Sequence, residues 1–94
     1  MKISLLSIKS GSEPNTYDVT CQIGREERTF RFFITLLNSQ VDNAELFVTS
    51  SDEFGYMFRY YPEAYGTAYQ LVGRFHQGKP VEFPSEIGDY DVIL

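Results

Sequence analysis

Tyr17, Val19, Cys21 and Ile23 alternate with Asp18, Thr20 and Gln22, and further on Phe30, Phe32, Ile34 and Leu36 alternate with Thr29, Arg31, Phe33 and Thr35. A period of two puts each apolar set on one side of a strand, because successive side chains in a sheet point to opposite faces. Gly24-Arg25-Glu26-Glu27 lies between the two runs, so together they read as a β-hairpin closed by a short polar loop. Residues 2–9 form an apolar and small-residue stretch, a first strand ending at the loop composition Ser10-Gly11-Ser12-Glu13-Pro14-Asn15. Beyond the hairpin, residues 38–43 have the composition of another loop, and Ala44 to Thr49 read as a fourth short strand.

After residue 50 the period changes. Ser50-Ser51-Asp52-Glu53 matches a capping box in which Glu53 reaches back to the backbone of Ser50. Phe54, Met57, Phe58 and Tyr61 follow at helical spacing, although residues 54–61 are also rich in strand formers and Pro62 biases Tyr61 toward extended geometry. The spacing favours a helix. Pro62 suits a first helical position and Glu63 complements the helix dipole there. Tyr65, Ala68, Tyr69, Val72 and Phe75 then make an apolar stripe, with Gly66, Gln70, Gly73 and Gln77 on another face and Gly78-Lys79-Pro80 as the stop. Residues 81–88 are broken by proline and glycine and read as an edge or extended segment lying over the core.

An antiparallel sheet followed by helices predicts the α+β class: three to four strands with one or two C-terminal helices packed on one face. The 94 residues suit one domain, with strands mainly in 1–49, helix in 50–78 and an acidic extended segment in 79–94. Composition agrees with an ordinary folded chain, at 43% hydrophobic and 22% charged residues. No apolar run approaches the roughly 20 residues of a membrane span. Residues 1–7 lack the apolar core of a signal peptide, and one cysteine, Cys21, fits a reducing compartment. A cytoplasmic protein is expected.

The net charge of −5 is unevenly placed, since Glu82, Glu86, Asp89 and Asp91 follow the last basic residue, Lys79. Nucleic-acid binding needs a basic stripe. Arg25, Arg28 and Arg31 come nearest to one, but Glu26 and Glu27 interrupt them, so neither nucleic acid nor membrane is an expected partner. Chemistry is equally sparse. Cys21 and the single histidine, His76, could make a nucleophile pair with a nearby carboxylate, but Cys21 falls in the buried register of its strand and His76 in the last turn of a helix. No zinc pattern, EF-hand loop or phosphate-binding glycine loop is present, and the acids Glu86, Asp89 and Asp91 make only a weak cation candidate. No metal, cofactor or catalytic residue is expected.

One feature of composition stands out. Tyr56, Tyr60, Tyr61, Tyr65 and Tyr69 place five of the seven tyrosines within fourteen residues, beside Phe54, Phe58 and Phe75. On the helical reading Tyr61, Tyr65 and Tyr69 join the core stripe while Tyr56 and Tyr60 point elsewhere. Tyrosine joins a large apolar body to a polar tip and is enriched at interfaces. The expected function is therefore a non-catalytic module for a protein partner or for self-association, with Tyr56 and Tyr60 as contact residues and an open sheet edge as a further surface. A small enzyme or ligand binder using Cys21, His76 and a carboxylate is the alternative.

Overall fold

The computed structural model describes residues 1–36 and 46–90. Among them are five strands, β1 (Lys2–Ser10), β2 (Thr16–Ile23), β3 (Glu26–Leu36), β4 (Leu46–Ser50) and β5 (Ser85–Asp89), and two helices, α1 (Asp52–Met57) and α2 (Pro62–His76). All strands pair antiparallel in the order β4-β3-β2-β1-β5. The α+β class and the antiparallel sheet are as expected from the sequence, but the strand count is five. The fifth strand comes from the segment expected as an edge or extended segment lying over the core, and it takes the edge beside β1. Pro80 and Pro84 precede β5, so they do not interrupt its ladder with β1.

The chain runs β1 to β4 as a meander, then crosses the inner sheet face through α1 and α2 before β5 joins the opposite edge. The hairpin between β2 and β3 has a two-residue turn, tighter than expected from composition, with Gly24 at φ 60°. Its register sets Val19 against Phe30 and Tyr17 against Phe32, which brings the two apolar alternations to one face. The other face carries Asp18 opposite Arg31 and Thr20 opposite Thr29, joined by an ion pair and a hydroxyl hydrogen bond. A register shift at Leu5/Ser7 keeps Ile3, Leu5 and Ile8 all turned inward.

Both helices cover that inner face. At α1 the anchors are Phe54 within the helix and Phe58 just past its end, fully buried four residues apart. The N-cap is Ser51 with no side-chain cap bond, so the expected capping box from Ser50 does not form; Asp52 and Glu53 in the first turn complement the dipole instead. The helix stops after Met57 because the chain must turn through residues 58–60 to deliver Tyr61, extended at φ −127°, to Pro62. The deepest line of α2 is Ala64, Ala68 and Val72, while Tyr65, Tyr69 and Phe75 flank it half-buried. The expected stripe is therefore rotated toward small residues. This lets the helix approach the sheet closely: a Cβ on Gly88 of β5 would stand 3.0 Å from Cβ of Ala64.

Candidate interaction surface

β3 extends beyond the cover of α1 and α2. Ile34, Phe32 and Phe30 are buried beneath them, whereas Arg28, next on the same face, is exposed. The open end of the core there forms a groove of about 840 Å³. Phe30 and Arg28 make its floor, Glu53 and Met57 of α1 one wall, and Tyr61 and Tyr90 the other. The second wall is rigidly built, because Tyr61 and Tyr90 stack with centroids 4.5 Å apart. Tyr90 is tied to Met1, the residue before β1, through two hydrogen bonds: the Tyr90 N–H donates to the Met1 carbonyl, and the Met1 amine donates to the Tyr90 carbonyl.

Tyr56, Arg59 and Tyr60 form the rim. Helix geometry places Tyr56, which the inward Phe54 two residues earlier turns outward, whereas Arg59 and Tyr60 are brought to the rim by the turn at residues 58–60. Tyr56 is 71% exposed and Tyr60 76% exposed, so neither ring contributes to the core. Arg59 sits between them, its guanidinium carbon 4.0 Å from the Tyr56 centroid and 4.7 Å from that of Tyr60. Its Nη1 donates to the Tyr56 carbonyl at 3.0 Å. The guanidinium hydrogen-bonds and attracts the Tyr60 phenolate, which lowers that hydroxyl below its ordinary pKa. Among the described residues Arg28 is paired with Glu26 at 3.2 Å, whereas no carboxylate lies within ion-pair distance of Arg59. The rim thus presents a cation held between two outward aromatic rings.

The other clustered tyrosines serve the fold. Tyr69 donates to the Tyr65 hydroxyl at 2.7 Å and bonds Oγ of Ser50 at 2.8 Å, and both rings pack on Phe54. Desolvation at this site pushes the Tyr69 hydroxyl up to about 12.

The alternative chemistry finds its groups apart. Cys21 is fully buried in the core, and burial pushes its thiol up to about 12, the opposite of an activated nucleophile. His76 accepts or donates through Nδ1 to the Tyr17 hydroxyl at 2.8 Å, four residues from Cys21, about 13 Å along the strand. Asp18, the nearest acid on β2, points to the other sheet face and pairs with Arg31. No group of three or more His, Cys, Asp or Glu able to hold a metal occurs among the described residues, and Asp91 of the cation candidate lies outside them. Among those residues no helix is long and apolar enough to cross a membrane.

Comparison of the chain with family models, curated proteins and solved structures gives no match. Sequence patterning singled out Tyr56 and Tyr60 but missed Arg59 and Arg28. Arg59 had a signal: it is the one cation within residues 50–73 and stands beside Tyr60. Arg28 had a weaker one, since it continues the inward register of Phe30 and Phe32.

Proposed function

We propose that this protein is a non-catalytic interaction module that receives a segment of another protein in the groove between β3 and α1. The observation that supports this reading is Arg59, stacked between two outward tyrosine rings without a carboxylate partner among the described residues. Tyrosine and arginine dominate the energetics of interfaces, and a side chain already held in place loses less freedom on binding. The ligand that fits is a peptide segment with one carboxylate for Arg59 and an adjacent apolar side chain for the surface formed by Met57 of the wall and Phe30 of the floor. A polyanion fits poorly, because the chain carries −5 overall and would repel it at long range.

Selection of random peptides displayed on phage tests the reading. Enriched sequences should share a single Asp or Glu next to Leu, Ile or Phe, and their affinity should fall about tenfold or more on Arg59→Ala and on Tyr56→Ser/Tyr60→Ser. Peptides that bind these variants as tightly as the parent protein would contradict it.

A further inference from the structure

The two edges of the sheet are built differently. β5 carries Glu86 and Asp89 in five residues, includes Gly88, and shows a register shift against β1. Such charges and irregularities keep an edge from pairing with another strand. β4 is Leu-Phe-Val-Thr-Ser, with no charge, proline or glycine, and it continues in unbroken register against β3. Its backbone directions follow from one hydrogen bond. Ser51 N–H donates to the Arg31 carbonyl at 2.8 Å, so residue 51 faces β3. Alternation then turns Thr49 and Phe47 toward β3 as well, and leaves the N–H and C=O groups of Leu46, Val48 and Ser50 directed away from the sheet.

Next to this edge lie two of the exposed apolar rings, on the outer sheet face. Phe47 is 50% exposed and Phe33 is 36% exposed, and Phe33 stands opposite Thr49 in the β3–β4 register. On the inner side a shallow hollow of about 460 Å³ opens beside Val48, Tyr65, Tyr69 and Gln70.

We propose that two copies of this chain pair antiparallel through β4, about a two-fold axis at Val48. In that register Val48 faces Val48 of the second copy and Leu46 faces its Ser50. Each of these outward residues therefore exchanges both backbone hydrogen bonds with its opposite number. On the outer face Phe47 falls beside Thr49 of the second copy, which itself lies opposite that copy's Phe33. The two-fold axis repeats this arrangement, so each Phe47 gains Thr49 of the other copy as a cross-strand neighbour while each Phe33 keeps its own Thr49 opposite. A second copy is the favoured occupant because β4 carries no charged side chain, so two chains of like net charge meet there without opposing carboxylates. A five-residue pairing is small for an interface, so the dimer is a weak one that salt strengthens by screening the like net charges.

Sedimentation velocity from about 10 µM to about 1 mM tests the pairing over the range where a weak dimer becomes populated. The wild-type chain should shift toward dimer with concentration, more so at about 0.5 M than at about 0.15 M salt. Phe47→Lys or Thr49→Lys should weaken association about tenfold or more with the circular dichroism spectrum kept, whereas Tyr56→Ser/Tyr60→Ser should leave it unchanged. Hydrogen exchange reads the register independently of any variant. Amides of Val48 and Ser50 should gain protection as concentration rises, and those of Phe47 and Thr49 should not. A chain monomeric throughout, or a dimer lost on Tyr56→Ser/Tyr60→Ser and kept on Phe47→Lys, would overturn the proposal.

Discussion

Phe54 and Tyr56 stand two residues apart on α1, and their truncation should have opposite consequences. Phe54 is fully buried, with ring centroids of Phe30, Phe32, Phe58 and Tyr65 at 5.2, 4.8, 4.7 and 5.4 Å. Removing such a ring costs about 3–5 kcal/mol, combining lost transfer energy with the cavity left among neighbours that cannot fully collapse. A chain of 94 residues has a total stability of about 5–14 kcal/mol. Phe54→Ala should thus lose about a fifth or more of it. In urea, with a slope of about 1–3 kcal/mol/M, the midpoint should fall by about 2 M at unchanged slope. Tyr56→Ser on the same turn should stay within about 0.5 kcal/mol of the parent, as exposed substitutions do. A loss below about 1.5 kcal/mol at Phe54, or a loss above that at Tyr56, would refute the assignment of inward and outward faces to this helix.

Four further outcomes follow from the structure. The Cys21 thiol, raised by burial from 9.0 to about 12, should resist iodoacetamide in the native protein and react once the chain is unfolded in denaturant; fast native labelling would contradict its burial. Because the folded state suppresses ionisation that the unfolded state undergoes from its ordinary pKa, stability should decline as pH rises from about 9 toward 12, with Tyr69 acting in the same direction above 10; a flat urea midpoint over that range would oppose this. Arg59→Gln should raise the Tyr60 hydroxyl pKa toward the ordinary value of about 10, followed by NMR of the ring carbon bearing oxygen, and no change would remove the Arg59–Tyr60 contact. Gly88→Val should destabilise by about 1–3 kcal/mol in urea, since its side chain must displace Ala64 of α2, and a neutral effect would argue against the close approach of helix and sheet.

What the sequence made legible was what repeats along it. The alternation through Tyr17–Ile23 and Phe30–Leu36 specifies both the strands and their inner face, because one face is buried and a slip of one residue would invert it. The segment holding Ser85–Asp89 could be read only as edge or extended, because only Ile87 of those five residues is deeply buried and the pairing with β1 is contributed by backbone groups that carry no sequence pattern. The stripe of α2 was legible in part: Ala68 and Val72 are among its deepest residues as expected, but Ala64, which meets Gly88, was not in it, because large aromatic residues weigh most in a periodicity. Spacing turns Tyr56 and Tyr60 away from the stripe but leaves open whether the tyrosine cluster is core or surface, and Tyr60 lies past the end of α1 in the turn at residues 58–60. The capture of Arg59 between their rings depends on the turn at residues 58–60, whose shape is set by Phe58, Tyr61 and Pro62 together.

The groove reading rests on a separation between what stabilises the fold and what the rim is for. The measurement that tests it most directly is isothermal titration of a selected acidic–apolar peptide into the parent protein and into Tyr56→Ser/Tyr60→Ser, each with its thermal midpoint. The expected result is affinity lower by about tenfold or more with a midpoint within about 4 °C of the parent. A midpoint lowered by more than about 10 °C, or a peptide affinity left intact, would show that the two rings support the structure or stand idle.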